Sequence, residues 1–401
     1  MSTFFWKKIG SKDFLGGLGL GFLFVAPLIA WSVFRFFGIN SPTDLFATLS
    51  LGIILIFYGV ERFKFRLQRN LYYYIGFLLL LLFLVGLVIK VDFKNFGWVL
   101  FGLVLFIVLP GRFKGDVNLL TTGFLVSIFF GVTGYLLINY EQIIFLNSIQ
   151  SQQRISFENE AYTLTAYAAA TGIVLAFFYI SRNGINFLSI STLGLSAYIV
   201  ILSGTRSVYG GIFISIVYIL IGSKVNQSVH LSKYKRNFYI FISIILMMII
   251  IGLLSDRFEI LVSRIVEGLY SLFSANSYLD QSAVGRRIQR AHALNLFSQH
   301  PLSGAGIKYY WVDFPLLQIF SDMGLFIGSV YILYFFLYPL NQCRIGFWQK
   351  NQTQMLLGSL YLLNLPRMFL HGQPYDWGIF IYTLPLLAFN PRITRDWNLH
   401  E

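Results

Sequence analysis

Apolar runs long enough to cross a lipid bilayer recur along the whole sequence, and no soluble core can absorb so many of them. A hydrocarbon layer of about 30 Å needs roughly 20 apolar residues in helical form. Twelve such runs stand near 14–36, 43–60, 71–89, 96–110, 117–138, 161–180, 185–203, 207–222, 238–254, 314–338, 352–370 and 377–390. The second, fourth and last are short, so the number of spans is open by one or two. Only 12% of the 401 residues are charged, against about a quarter in an ordinary soluble domain. A soluble enzyme, a disordered tail and a nucleic-acid-binding domain are thereby excluded, and no nucleic-acid partner is expected. Basic residues alternate with membrane-length runs, so the net charge of +13 belongs to a polytopic membrane protein. The expected fold is all-α: a polytopic integral membrane protein of about 12 transmembrane helices, with residues 1–401 as a single membrane domain. The first run has no small-residue cleavage site after it and reads as a retained span. Cys343, the single cysteine, excludes an internal disulfide framework and a Cys-based metal cluster.

Orientation follows from the basic residues between the runs. With both termini in the cytoplasm, inside segments hold Lys7, Lys8, Lys12, Arg62, Lys64, Arg66, Arg69, Arg112, Lys114 and Arg182. Later inside segments add Lys224, Lys233, Lys235, Arg236, Arg344, Lys350, Arg392 and Arg395. Every short inside loop is then basic. The exceptions concentrate in one long extracytoplasmic loop, 255–313, with Arg257, Arg264, Arg286, Arg287, Arg290 and Lys308. Charges that the orientation rule disfavours suggest a task there, although long translocated loops tolerate charge.

Within that loop, residues 256–273 place Phe258, Leu261, Val262, Ile265, Leu269, Leu272 and Phe273 at helical spacing. This predicts an amphipathic helix, lying either on the outer membrane surface or against the bundle. Residues 285–306 read GRRIQRAHALNLFSQHPLSGAG. Arg286 and Arg290 are four apart and share a helix face, with Arg287 beside them. Arginine forks match phosphate geometry, so the trio is either an anion-binding group or a lipid-headgroup cluster. Pro301, Gly304 and Gly306 end the helix in a tight loop, with His300 immediately before it. A lone histidine there is more often structural than catalytic.

Arg206 stands in SGTR at 203–206, between two apolar runs on the outside face. An arginine at a membrane edge is costly and faces a partner, a cavity or a headgroup. Asp313 opens the tenth run, with Pro315 after it, and fits two compatible roles, helix N-cap and general base. Asp322 lies inside the same run and reads best as one half of a structural pair. Arg367, His371 and Asp376 form an outside polar cluster that could join the site. The sequence has no Gly-rich nucleotide loop, no HExxH, and no acidic pair of the kind that holds a metal with a nucleotide-sugar. A donor carried on lipid needs none of them, and no cofactor is expected.

Three separated pieces resemble the O-antigen polymerase/ligase superfamily of membrane glycosyltransferases (Wzy/WaaL type, Wzy_C-like). SGTRS at 203–207 is similar to the Ser-Gly-Ser-Arg-Gly turn that opens a span in that family, with Ser207 in place of the usual glycine. Gly285–Arg286, then FSQHPLSGAG at 297–306, matches its Gly-Arg and Phe-x-x-His-Pro-Leu-x-Gly-x-Gly signature. LLQIFSDMGLFIG at 316–328 resembles the span that follows. The resemblance covers roughly 200–335, about a third of the chain.

The resemblance implies a GT-C-like helical glycosyltransferase in the bacterial cytoplasmic (inner) membrane, with an extracytoplasmic active site. Its donor and acceptor would be undecaprenyl-diphosphate-linked oligosaccharides. Arg206 and Arg286 match the arginines that would bind the donor diphosphate, with Arg290 and Arg287 beside them. The catalytic candidates are Asp313 and His300, and Asp322, Arg367 and His371 are possible accessories. In the ligase branch a histidine usually stands where this chain has Asp313–Phe314, which favours a polymerase of O-antigen, capsule or exopolysaccharide. The reaction would be metal-independent and inverting, and a chain-length regulator is a possible partner. The alternatives are a ligase moving finished glycan to another acceptor and, in another class, a flippase or exporter of lipid-linked oligosaccharide.

Overall fold

The computed structural model describes residues 11–30, 32, 37–38, 43–59, 71–90, 93–108, 116–141, 143, 162–225, 239, 242–243, 281–307, 310–370 and 372–388. Every regular element among them is a helix. In chain order these are α1 Lys12–Phe24, α2 Ala26–Ile29, α3 Thr43–Gly59, α4 Leu71–Ile89, α5 Phe93–Val108, α6 Val117–Ile138 and α7 Tyr162–Asn183. They continue as α8 Phe187–Ser203, α9 Arg206–Val225, α10 Gln281–Gln299, α11 Pro315–Ile332, α12 Tyr338–Trp348, α13 Gln352–Leu370 and α14 Trp377–Ala388. The all-helical expectation holds on this ground. The ninth run, 238–254, and the amphipathic stretch 256–273 lie outside the described residues, apart from Tyr239, Ile242 and Ser243.

Among the described residues, three helices are long and apolar enough to cross a membrane: Val117–Ile138, Thr163–Asn183 and the composite Pro315–Trp348. Shorter apolar helices accompany them at Ala47–Ile56, Tyr74–Ile89, Phe96–Leu105, Phe187–Ser203, Ser207–Gly222 and Gly378–Leu387. Two departures from the sequence reading have local causes. The first run is broken at Val25, because Pro27 starts a new helical turn and supplies no N–H to the old one. The tenth run does not stop near 338. It passes through a π-helical turn, Leu333–Leu337, and continues to Trp348. At 34 residues it exceeds the roughly 20 that the hydrocarbon layer requires.

Small residues let the helices close on one another, as expected where lipid offers no hydrophobic drive for association. A Cβ on Gly17 would lie 2.0 Å from the Leu120 carbonyl oxygen, and one on Gly123 would lie 2.1 Å from that of Phe14. The main chains of α1 and α6 therefore touch directly. Ser127 Oγ donates to Leu18 O at 2.9 Å across the same seam. On the other side of the bundle, Gly211 of α9 meets Leu363 O of α13, and Ser215 Oγ donates to Ser359 O at 2.7 Å. Helices α7, α13 and α14 are buried along nearly their whole described lengths and form the interior. Thr171 Oγ1 and Tyr382 OH join α7 to α14 at 2.7 Å. The end of α13 thus sits beside α7 and α9, with α14 against α7, and this arrangement brings the polar residues below together.

Candidate functional site

Helix α10 separates its residues by face. Ala293 and Leu296 are buried, and Phe297 meets Phe320 of α11 edge-on at 5.7 Å between ring centres. Arg287, Ile288, Ala291 and Leu294 face outward. Arg286 and Arg290, one turn apart, are partly covered. The guanidinium of Arg290 lies over the Phe314 ring at 5.1 Å from its centre. Its Nε is buried without a hydrogen-bond partner. Burial, and then the neighbouring Arg286, lower the Arg290 pKa from its ordinary value, while Asp313 acts in the opposite direction. The sequence placed both arginines on one face, and they are found there. Arg287 points away from them.

The loop after α10 is a strap over a broken helix. Gly324 has φ +74° and ψ −175° inside α11, so the helical ladder is interrupted there. The carbonyls freed by the break are taken by the loop: Ala305 N donates to Ser321 O at 2.8 Å, and Gly306 N to Asp322 O at 3.0 Å. In return Leu325 N donates to Pro301 O at 2.8 Å. Glycine is required on both sides. A Cβ on Gly304 would stand 2.3 Å from Asp322 O, and one on Gly324 would stand 2.1 Å from Leu302 O, each at positive φ. The two motif pieces FSQHPLSGAG and SDMG are therefore the halves of one clasp. His300 is exposed at the end of α10, where its carbonyl accepts from Gly304 N at 2.9 Å. Its described bonds are main-chain ones. Lys90, at the end of α4, approaches the same loop: a Cβ on Gly306 would be 3.9 Å from its Nζ.

The strap leads to Asp313. Its N–H donates to Gln289 Oε1 of α10 at 3.1 Å, and its carboxylate accepts from Gly372 N at 2.9 Å. The N-cap role expected for Asp313 is not what the structure shows. Phe314 occupies that position, and no side chain caps α11. The helix begins one residue later than the cap reading requires, and the carboxylate turns toward the α13–α14 loop.

That loop, Gly372–Asp376, is fixed from several sides. Tyr331 OH donates to Pro374 O at 3.2 Å, and Tyr375 OH donates to Asp322 Oδ2 at 2.9 Å. Arg367 pairs with Asp376, both partly or fully buried, and its guanidinium lies 5.9 Å from the centre of the Tyr167 ring. Asp322 is 1% exposed and also accepts from Gln318 Nε2 at 3.3 Å. Asp322, read from the sequence as one half of a structural pair, is placed here as a buried acceptor for Gln318 and Tyr375. The cluster of Arg367 and Asp376 reaches the Asp313 region through Gly372, while His371 lies outside the described residues.

Arg206 opens α9 after a tight turn. Gly204 is left-handed, with φ 60° and ψ 25°, and Thr205 N donates to Ser203 Oγ at 3.4 Å. Thr205 and Ser207 are buried on either side. The side chain of Arg206 is not among the described ones. Gln289, Gly372, Gln318 and Tyr375 were not singled out in the sequence. Gln289 sits beside Arg290 with no spacing signal, Gln318 bonds Asp322 one turn further along α11, and Gly372 and Tyr375 gain meaning only when distant segments meet.

Residues 191–326 match a protein-family model described as O-antigen ligase. The matched stretch contains the SGTR turn, Arg286, Arg290, the strap and the break at Gly324. It supports the resemblance to the O-antigen polymerase/ligase superfamily carried by the same motifs. With the membrane-length helices, it supports a multi-pass membrane protein with a transferase role. No curated protein matches the chain.

Proposed function

Taking residues 191–326 as an O-antigen ligase family segment, we propose that the chain polymerises lipid-linked glycan on the extracytoplasmic face of the bacterial inner membrane. The observation that carries the reading is that Asp313 is held beside the arginine helix: its N–H donates to Gln289, next to Arg290, and its carboxylate accepts from Gly372 N. Arg290 Nε, buried and unpartnered, is a donor available to an anion.

In this reading Arg206, Arg286 and Arg290 bind the diphosphate of a polyprenyl-diphosphate-linked glycan. They stabilise the charge that develops on it as the sugar C1–O bond breaks. The hydroxyl oxygen of a second lipid-linked repeat unit attacks C1, and Asp313 takes its proton. The polyprenyl diphosphate leaves, and single displacement inverts the anomeric centre. Guanidinium forks neutralise the leaving group, so the step requires no divalent cation. Twelve spans and cytoplasmic termini belong to the same proposal.

A ligase is the second reading, favoured by the description of the matching family. The glycan profile of a deletion strain, complemented with wild type or Arg286→Ala, separates the two. Single repeat units with no ladder, restored by wild type alone, support the polymerase. Long glycan stranded on its lipid carrier makes the protein a ligase, and an unchanged profile overturns both.

A further inference from the structure

We propose that Asp322 is the positioning residue of the site, acting through its acceptor oxygen and not through its charge. The inference rests on the transferase reading above. Two segments converge on Asp313, and Asp322 holds both of them. Its main-chain carbonyl accepts from Gly306 N, on the strap that runs up to Asp313. Its side chain accepts from Tyr375 OH, on the loop whose Gly372 N–H bonds the Asp313 carboxylate. The Gln318 amide of α11 donates to the same oxygen, Oδ2, so one atom ties the helix and the loop together.

The rest of the surroundings are built to keep that atom in place. Asp322, Gln318 and Tyr375 are each no more than 1% exposed. The Tyr375 ring is held edge-on by Phe83 of α4 at 5.1 Å. Asp322 also sits two residues before the break at Gly324, where its carbonyl is released from the helix and becomes free for the strap. A buried hydrogen bond whose acceptor is removed leaves its donors unsatisfied, which shifts or loosens the segment that carries them. Removing the oxygen therefore disturbs Gly372 and, through it, Asp313.

Asparagine at 322 keeps a carbonyl oxygen for Tyr375 and Gln318, whereas leucine of similar size keeps none. The test is transfer kinetics with purified protein in lipid nanodiscs and a lipid-linked oligosaccharide as both donor and acceptor. Asp322→Asn retains at least about a third of the wild-type kcat. Asp322→Leu and Tyr375→Phe lower kcat by roughly tenfold, on the order expected for one or two lost buried hydrogen bonds, with KM within twofold of wild type. Tyr375→Phe preserves the ring packing, so it decides the matter if Asp322→Leu does not fold. Asp322→Asn as inactive as Asp322→Leu overturns the proposal in favour of a charge role. Wild-type kcat in folded Tyr375→Phe overturns it as well. If Arg290→Ala and Arg286→Ala are fully active in the same assay, it is the transferase site assignment that fails, whatever Asp322 does.

Discussion

The N–H of Gly372 donates to the carboxylate of Asp313 at 2.9 Å across 59 residues of sequence. This one bond joins the long loop to the last inter-helix turn and fixes the group proposed to accept the proton.

Asp313→Asn keeps an oxygen for Gly372 but removes the base. Its transfer rate is expected to fall by roughly 10²–10⁴ while the protein stays folded. Steady-state rates on monodisperse protein check this, and full activity would remove Asp313 as the base.

His300 is exposed at the end of α10, and its described bonds are main-chain ones. His300→Ala is therefore expected to change activity by no more than roughly twofold, as for an ordinary surface substitution. A large loss with normal folding would move the catalytic role from Asp313 toward His300.

Arg290 stacks on Phe314 and presents a planar fork beside Arg286. Arg290→Ala should lower kcat/KM by about 10²–10³, the scale of a lost charge-stabilising donor. Arg286→Lys should lose about tenfold or more, because a point charge does not reproduce the fork. Polymer of wild-type length and amount from Arg286→Lys in the complemented strain would refute a diphosphate role for that arginine.

Arg367 and Asp376 form an ion pair in which the arginine is 3% exposed. Removing one partner strands a buried charge, so Arg367→Leu is expected to cost about 3–5 kcal/mol. Arg367→Leu combined with Asp376→Asn should recover part of that loss. Thermal unfolding in detergent measures both, and equal stability of the two variants would show that the pair contributes little.

The bundle and the arginine face were legible because both are periodic: apolar runs of membrane length, and Arg286 and Arg290 four residues apart. The N-cap reading of Asp313 failed because it judged only the neighbouring residues. Its real partner, Gly372, lies in another loop and leaves no local trace. Pro366 and Pro385 stand inside α13 and α14, where propensity alone would have ended a helix. Packing in the interior overrides that preference. Likewise the glycines of the 297–306 signature were legible as a turn, but their close approach to Asp322 was not, because it depends on a break in a helix that the apolar pattern reads as continuous.

The strap and the break in α11 join residues 301–306 to 321–325, a short reach along the chain. Closing a short loop costs little entropy. The clasp can therefore close from residues 301–325 alone, with no contribution from α13 or α14. The turn that delivers Gly372 to Asp313 would then meet a seat formed without it. The site itself is completed by the C-terminal helix pair, and a chain stopped short of residue 372 would carry the clasp but no completed site.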